Sequence, residues 1–152
     1  MKPADRNLIL EKLVSLNQYS TELESNLQIP LKRFLAEQVR QRAVERLFQI
    51  VVECATDTNT LLLVAMNQTP ANSARESYQA IGELGGLDNA MTKRFREQYV
   101  PKRNFIVHLY EKVEPRDLYY SAHRLVRDVR EYAEQIQHFV DARASNNKRS
   151  RR

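Results

Sequence analysis

FLAEQVRQRAVERLFQIVVECATDTNTLLLVAM, residues 34–66, is the stretch from which the fold is read. Between Pro30 and Pro70 no glycine or proline interrupts the chain. Apolar residues return every three or four positions, at Val39, Ala43, Leu47, Ile50, Val51, Cys54, Leu61, Leu62 and Ala65. That period draws one stripe down a helix, and nothing in the stretch alternates as a half-buried strand does. The reading is one long helix from about Phe34 to Met66, closed by Asn67-Gln-Thr-Pro70.

The same period extends in both directions. Upstream, Ile9, Leu13, Leu16, Leu23 and Leu27 mark a first helix, capped by Asp5 and ended by Pro30. Downstream, a shorter helix spans about Ser73 to Leu84 and stops at Gly85-Gly86, which can turn through positive φ. A fourth segment begins near Asp88 and runs through Phe95. Pro101 lacks an amide hydrogen and restricts Val100, so it should kink or restart that helix, leaving a second piece over 101–109. A final helix starts at Pro115 to Asp117 and carries Leu118, Ala122, Leu125, Val129, Ile136 and Val140. The expected fold is all-α, an antiparallel bundle of four to five helices.

Composition sets the limits. The 152 residues suit one domain with a full core, and 42% hydrophobic with 28% charged residues is a globular balance. The only cysteine, Cys54, cannot form an internal disulfide and suits a reducing cytoplasm. No uninterrupted apolar run approaches the roughly 20 residues of a membrane span, and the amino terminus has no signal-like core. The net charge of +5 is a property of the end of the chain. The last ten residues hold Arg143, Lys148, Arg149, Arg151 and Arg152 and no acid, so residues 1–142 balance at 19 basic and 19 acidic. The division is a helical domain over 1–142 and a basic tail over 143–152, polar and read as disordered from Ala144.

No phosphate-binding glycine loop, His-Glu-x-x-His pair, nucleophile elbow or Cys-x-x-Cys pair occurs. The chemistry-bearing segment is Lys102-Arg-Asn-Phe-Ile-Val-His-Leu-Tyr110. On a helix Asn104 and His108 lie four residues apart on one face, and Phe105, Ile106, Val107 and Leu109 would anchor the segment to the core. Arg103 offers a planar fork that matches two phosphate oxygens. His108 titrates near neutral pH and could exchange a proton with a ribose 2′-hydroxyl or a leaving oxygen, which makes RNA the polymer such a pair would cut. Lys102 adds a neighbouring cation, and Asp57, an acid on the long apolar helix, could orient Arg103 or His108. The bland reading is an ion pair near a helix end, with Tyr110, His123 and His138 as packing or surface residues and Cys54 as an inert core thiol. One histidine does not supply both acid and base.

Arg103-Asn104-Phe-Ile-Val-His108-Leu-Tyr110 resembles the R-x4-H-x-Y motif of HepT-like toxins in the HEPN superfamily, including the Asn after the Arg. The resemblance covers about residues 8–140, with Gln41 through Asp57, Glu76-Ser-Tyr78 and the helix from Leu118-Tyr119 in the family's order. It departs at Gln98-Tyr-Val-Pro-Lys102, where the family has a smoother helix. It implies a cytoplasmic, metal-independent ribonuclease without a cofactor, either a toxin endoribonuclease or an RNA-end-processing ribonuclease, acting on RNA such as tRNA through Arg103 and His108, with Asn104, Asp57 and Lys102 in support. It also implies a homodimer whose paired motifs face one cleft. The implied partner is a small nucleotidyltransferase antitoxin that binds the toxin and AMPylates Tyr110. The tail cations Lys148, Arg149, Arg151 and Arg152 would add nonspecific RNA affinity. A noncatalytic helical partner of a nucleotidyltransferase, or an RNA-binding module relying on the tail, are the alternatives.

Overall fold

The computed structural model describes residues 1–108 and 113–149, with side chains to residue 145. Seven α-helices and one π turn are present among them: α1 (Pro3–Asn26), α2 (Leu31–Ala36), α3 (Gln38–Ala65), α4 (Ala74–Glu83), α5 (Asn89–Arg94), the π turn (Phe95–Tyr99), α6 (Val100–His108) and α7 (Pro115–Arg149). The described residues contain no strand. The bundle expected from the periodicity is the bundle found.

α3 lies in the middle, packed against α1, α4, α6 and α7. Cross-links fix the directions. Lys12 pairs with Asp57 at 3.4 Å and Arg40 reaches the Asn26 carbonyl at 3.5 Å, so α1 and α3 are antiparallel. Arg6 pairs with Asp141 at 2.6 Å, and Glu24 pairs with Arg130, so α1 and α7 are antiparallel too. By length and composition α3 could cross a bilayer, because its apolar residues are dense although not contiguous; 56% of its most apolar window is buried within the bundle instead.

The stripes of α1 and α7 are buried as read. Ile9, Leu13, Leu16, Leu23 and Leu27 on one side, and Leu118, Ala122, Leu125, Val129, Ile136 and Val140 on the other, face the core. The first helix starts differently: Lys2 is its cap position, Pro3 opens it, and Asp5 lies in its first turn, where its charge complements the helix dipole. The expected helix from Phe34 to Met66 is two. It breaks at Glu37, whose ψ of 86° is not helical and whose carboxylate is bracketed by Arg33 at 2.8 Å and Arg40 at 2.5 Å. The break resets the phase of the early stripe. Val39 is 85% exposed, and Val44 and Phe48 join Leu47, Val51, Cys54 and Leu62 inside.

Ser73 caps α4 through Glu76, and Asp88 caps α5 through Met91. Between them Gly85 takes φ 81°, as a helix-ending glycine does, and Gly82 lets the two helices approach, since a Cβ there would meet Thr92 Oγ1 at 2.6 Å. α7 runs to Arg149, past Ala144 where order was expected to end. Arg143 there lies over the Phe139 ring at 4.7 Å and reaches the Leu84 carbonyl, and cations suit a helix's last turns.

Candidate functional site

α6 follows an irregularity that the sequence announced only as a proline. Val100 donates its amide to the Phe95 carbonyl, five residues back, which widens the helix by one residue before Pro101. The helical path therefore continues through Pro101, which occupies the first turn of α6. Two polar ties hold this unit to α7. Tyr99 donates to Asp128, which is 1% exposed, and Lys102 pairs with Asp117. Arg94 reaches the same Asp128 carboxylate at 2.9 Å as an ion pair. Burial, and then the Asp128 carboxylate, push the Tyr99 phenol far above its usual range, so it stays a donor.

Arg103 is half-buried against α3 with its guanidinium bonded on three nitrogens. Nε and Nη2 donate to Glu53 Oε1 at 3.2 and 2.6 Å, and Nη1 donates to Asn104 Oδ1 at 3.0 Å. Gln49, one turn away, donates to the same Glu53 oxygen at 3.0 Å. Partial burial alone would raise the Glu53 carboxyl, but hydrogen bonds from Gln49 and Arg103 and the charges of Arg103 and Arg46 outweigh it and hold it below the ordinary carboxylate range. Glu53 is the site residue that the sequence reading missed.

Asp57, one turn further along α3, is exposed and faces Lys12, so Arg103 takes its carboxylate from Glu53. His108 is the last residue of α6, exposed, and forms no hydrogen bond or ion pair among the described residues. Of the residues expected to anchor α6, Ile106 packs on the core, whereas Phe105 and Val107 remain 40% and 39% exposed; Leu109 lies outside the described residues. Tyr110, Arg151 and Arg152 also lie outside them, and Lys148 and Arg149 are placed as backbone of α7 only. Cys54 is buried, with its thiol pushed up by burial, and His123 and His138 are exposed on α7. Among the described residues no three His, Cys, Asp or Glu side chains group to hold a metal ion.

The arrangement sets an anchored guanidinium and an exposed imidazole, without a partner among the described residues, on one helix that also exposes Phe105 and Val107. Its relatives carry related descriptions. The chain is 24% identical over 136 residues to the tRNA nuclease HepT of Aphanizomenon flos-aquae (strain 2012/KM1/D3), covering 88% of this chain and 90% of that one. Its fold superposes with a TM-score of 0.78 on the tri-AMPylated Shewanella oneidensis HEPN toxin, solved in complex with MNT antitoxin, at 14% identity over 91% of this chain and 99% of that one. The same TM-score and identity relate it to Bacillus subtilis YutE, a cytosolic protein of unknown function, over 91% and 92% of the two chains. The sequence profile of the family described as Ribonuclease HepT-like matches residues 16–136, which takes in α3, the π turn, the Arg103–His108 helix and most of α7: the chain belongs to that family.

Proposed function

We propose that the protein is a cytoplasmic, metal-independent endoribonuclease of the toxin type, which cuts cellular RNA such as tRNA with Arg103 and His108. The observation that carries this reading is the state of the pair. Glu53 and Asn104 fix Arg103 while one N–H on each terminal nitrogen has no partner among the described residues, and His108 is exposed at the end of the same helix. Arg103 would grip the scissile phosphate and stabilise charge gathering on its oxygens. His108 would accept the proton of the ribose 2′-hydroxyl as that oxygen bonds to phosphorus and the bond to the 5′ oxygen breaks. The ends left are a 2′,3′-cyclic phosphate and a 5′-hydroxyl. The departing oxygen takes its proton from a second acid, and His108 of a second copy supplies it in a homodimer.

The control that fits this family is a small nucleotidyltransferase antitoxin that binds the toxin and transfers AMP from ATP to Tyr110. Tyr110 follows His108 by two residues, so a phosphate there would place negative charge beside Arg103 and bulk at the mouth of the site. Asp57, paired with Lys12, is left out of the reacting set, and Lys102 serves to tie α6 to α7.

Total cellular RNA incubated in chelator with the parent protein and with His108→Ala tests the reading, with fragment ends sequenced, folding compared by circular dichroism and Tyr110 shown to be bare by mass spectrometry. Discrete fragments from the parent alone are expected. Two folded, unmodified and inert proteins would favour a noncatalytic partner of the nucleotidyltransferase.

A further inference from the structure

The face of α7 turned away from the core, next to α2, bears aromatic rings set among cations. Tyr119 is its post: its hydroxyl donates to the Ile29 carbonyl at 2.8 Å and its ring packs on Phe34 at 5.2 Å. Tyr120 and His123 lean edge-on against that post at 5.4 and 4.6 Å, and Tyr120 is 47% exposed. His123 is exposed at its rim but partly desolvated, which lowers its pKa and favours a neutral aromatic ring there. Exposed Arg116, Arg124 and Arg127 stand about one helical turn before and after these rings. Beside them Lys32 and Arg116 rim a depression of about 420 Å³ floored by Leu31, Leu35 and Ala36. The acids of this region are already engaged. Glu114 accepts the amides of Arg116 and Asp117, Asp117 holds Lys102, and Glu37 holds Arg33 and Arg40. Lys32, Arg116 and Arg124 form no ion pair among the described residues, and Arg127, its side chain 70% exposed, pairs with Asp128 at 3.4 Å.

We infer that this α2–α7 face is a docking track for single-stranded RNA, with Tyr120 stacking on a base and Lys32, Arg116, Arg124 and Arg127 following the phosphates. The inference rests on the proposed ribonuclease reading for its polymer and adds the surface that holds it. Two features favour RNA over a protein partner. Cations spaced by a helical turn around an exposed, propped aromatic ring suit a strand that offers alternating charge and flat bases. The track is also tied to the site, because Asp117 at its start grips Lys102, the neighbour of Arg103. Its far end closes where Arg130 is bound by Glu24 and where Glu131 and Glu134 follow.

Fluorescence anisotropy of a labelled 12-nucleotide RNA, measured across a salt series, tests the track in the His108→Ala background, where the RNA stays whole. Arg116→Gln with Arg124→Gln and Arg127→Gln should reduce the slope of log Kd against log salt by about 2, at roughly 0.7 per lost phosphate contact. Tyr120→Ala should weaken binding about 10-fold and leave the slope alone. Arg75→Gln with Lys93→Gln, exposed cations on α4 and α5, serve as the control and should change neither. Equal losses from control and track variants, or no RNA binding at any salt, would overturn the inference. So would track variants that keep RNA and lose the nucleotidyltransferase, which makes the face a protein interface. Cleavage by the otherwise unaltered protein separates the two readings: a parent that cuts beside silent track variants defeats only the track, and a parent that binds through the track without cutting defeats only the ribonuclease.

Discussion

A guanidinium carries five N–H bonds in one plane. In Arg103 those of Nε and Nη2 converge on a single oxygen of Glu53, while Nη1 spends one on Asn104. What is left without a partner among the described residues is one N–H on each terminal nitrogen, able to meet phosphate oxygens. On the proposed ribonuclease reading Glu53 is thereby a positioning residue. Glu53→Ala should lower kcat by roughly 10- to 100-fold with a smaller change in KM, because a fork free to swing loses its alignment with the reacting phosphate. Glu53→Gln keeps an acceptor and should retain more of the rate. Equal kcat for the parent and Glu53→Ala in single-turnover cleavage would remove the role. The pH sign follows from the same contacts. The folded carboxyl sits below its unfolded value of about 4.3, so its contribution to stability is full above that value and is lost as pH falls through the folded pKa. Urea midpoints measured from pH 7 down to pH 3 should fall less steeply in Glu53→Gln than in the parent. The placement of Arg103 and His108 on one helix was legible because their spacing is local. Glu53 was not, because it is 50 residues away and only the rotation of α3 against α6 decides whether it or Asp57, one turn later, meets the guanidinium.

Elements were legible where a stripe or a cap is written into neighbouring residues, as in α1, α4 and α7. They were not where a tertiary contact sets the phase. Nothing resembling a breaker stands at Glu37, yet the chain turns there because two arginines hold its carboxylate and α2 must lay Phe34 on the core. Pro101 advertised an irregularity, but the widened turn sits upstream at Phe95–Tyr99, where the extra residue lets Val100, five positions after Phe95, face inward together with Phe95 and Tyr99. Asp128 secures that turn from α7, and its cost is the burial of a charge that Tyr99, Arg94 and Arg127 compensate. Asp128→Ala should destabilise the fold by about 3 kcal/mol, leaving a phenol and a guanidinium without their partner, and lower Tm by about 6–12 °C. Arg127→Gln touches the same carboxylate from an exposed position and should change Tm by no more than about 2 °C. Calorimetry of the two variants beside the parent checks the contrast; a shift of equal size in both would show that the charge is neutralised at the surface and that the π turn does not depend on it.

At the scale of the whole molecule, α6 is among the helices that leave apolar side chains at the surface. α6 buries Val100 and packs Ile106 partly against the core, yet exposes Phe105 and Val107 at 40% and 39% in the turn that ends in His108. Burying apolar surface of that kind against a second copy stabilises association, and a two-fold axis beside α6 would make the contact self-complementary and bring two His108 side chains to one cleft. The proposed reaction needs such a pair, one imidazole to take the 2′-hydroxyl proton and one to return a proton to the leaving oxygen. Phe105→Glu with Val107→Glu places like charges where the two copies would meet. Light scattering after size exclusion should then change from twice the 17.8 kDa chain mass to that mass, with helicity retained because both positions face outward. Cleavage should fall with the dimer and recover only partly at high protein concentration, since the variant keeps Arg103, Glu53 and His108 intact. A parent protein that runs as a monomer at micromolar concentration and still cuts would break the link between assembly and chemistry, and would require the second proton to come from water or from Tyr110 of the same chain.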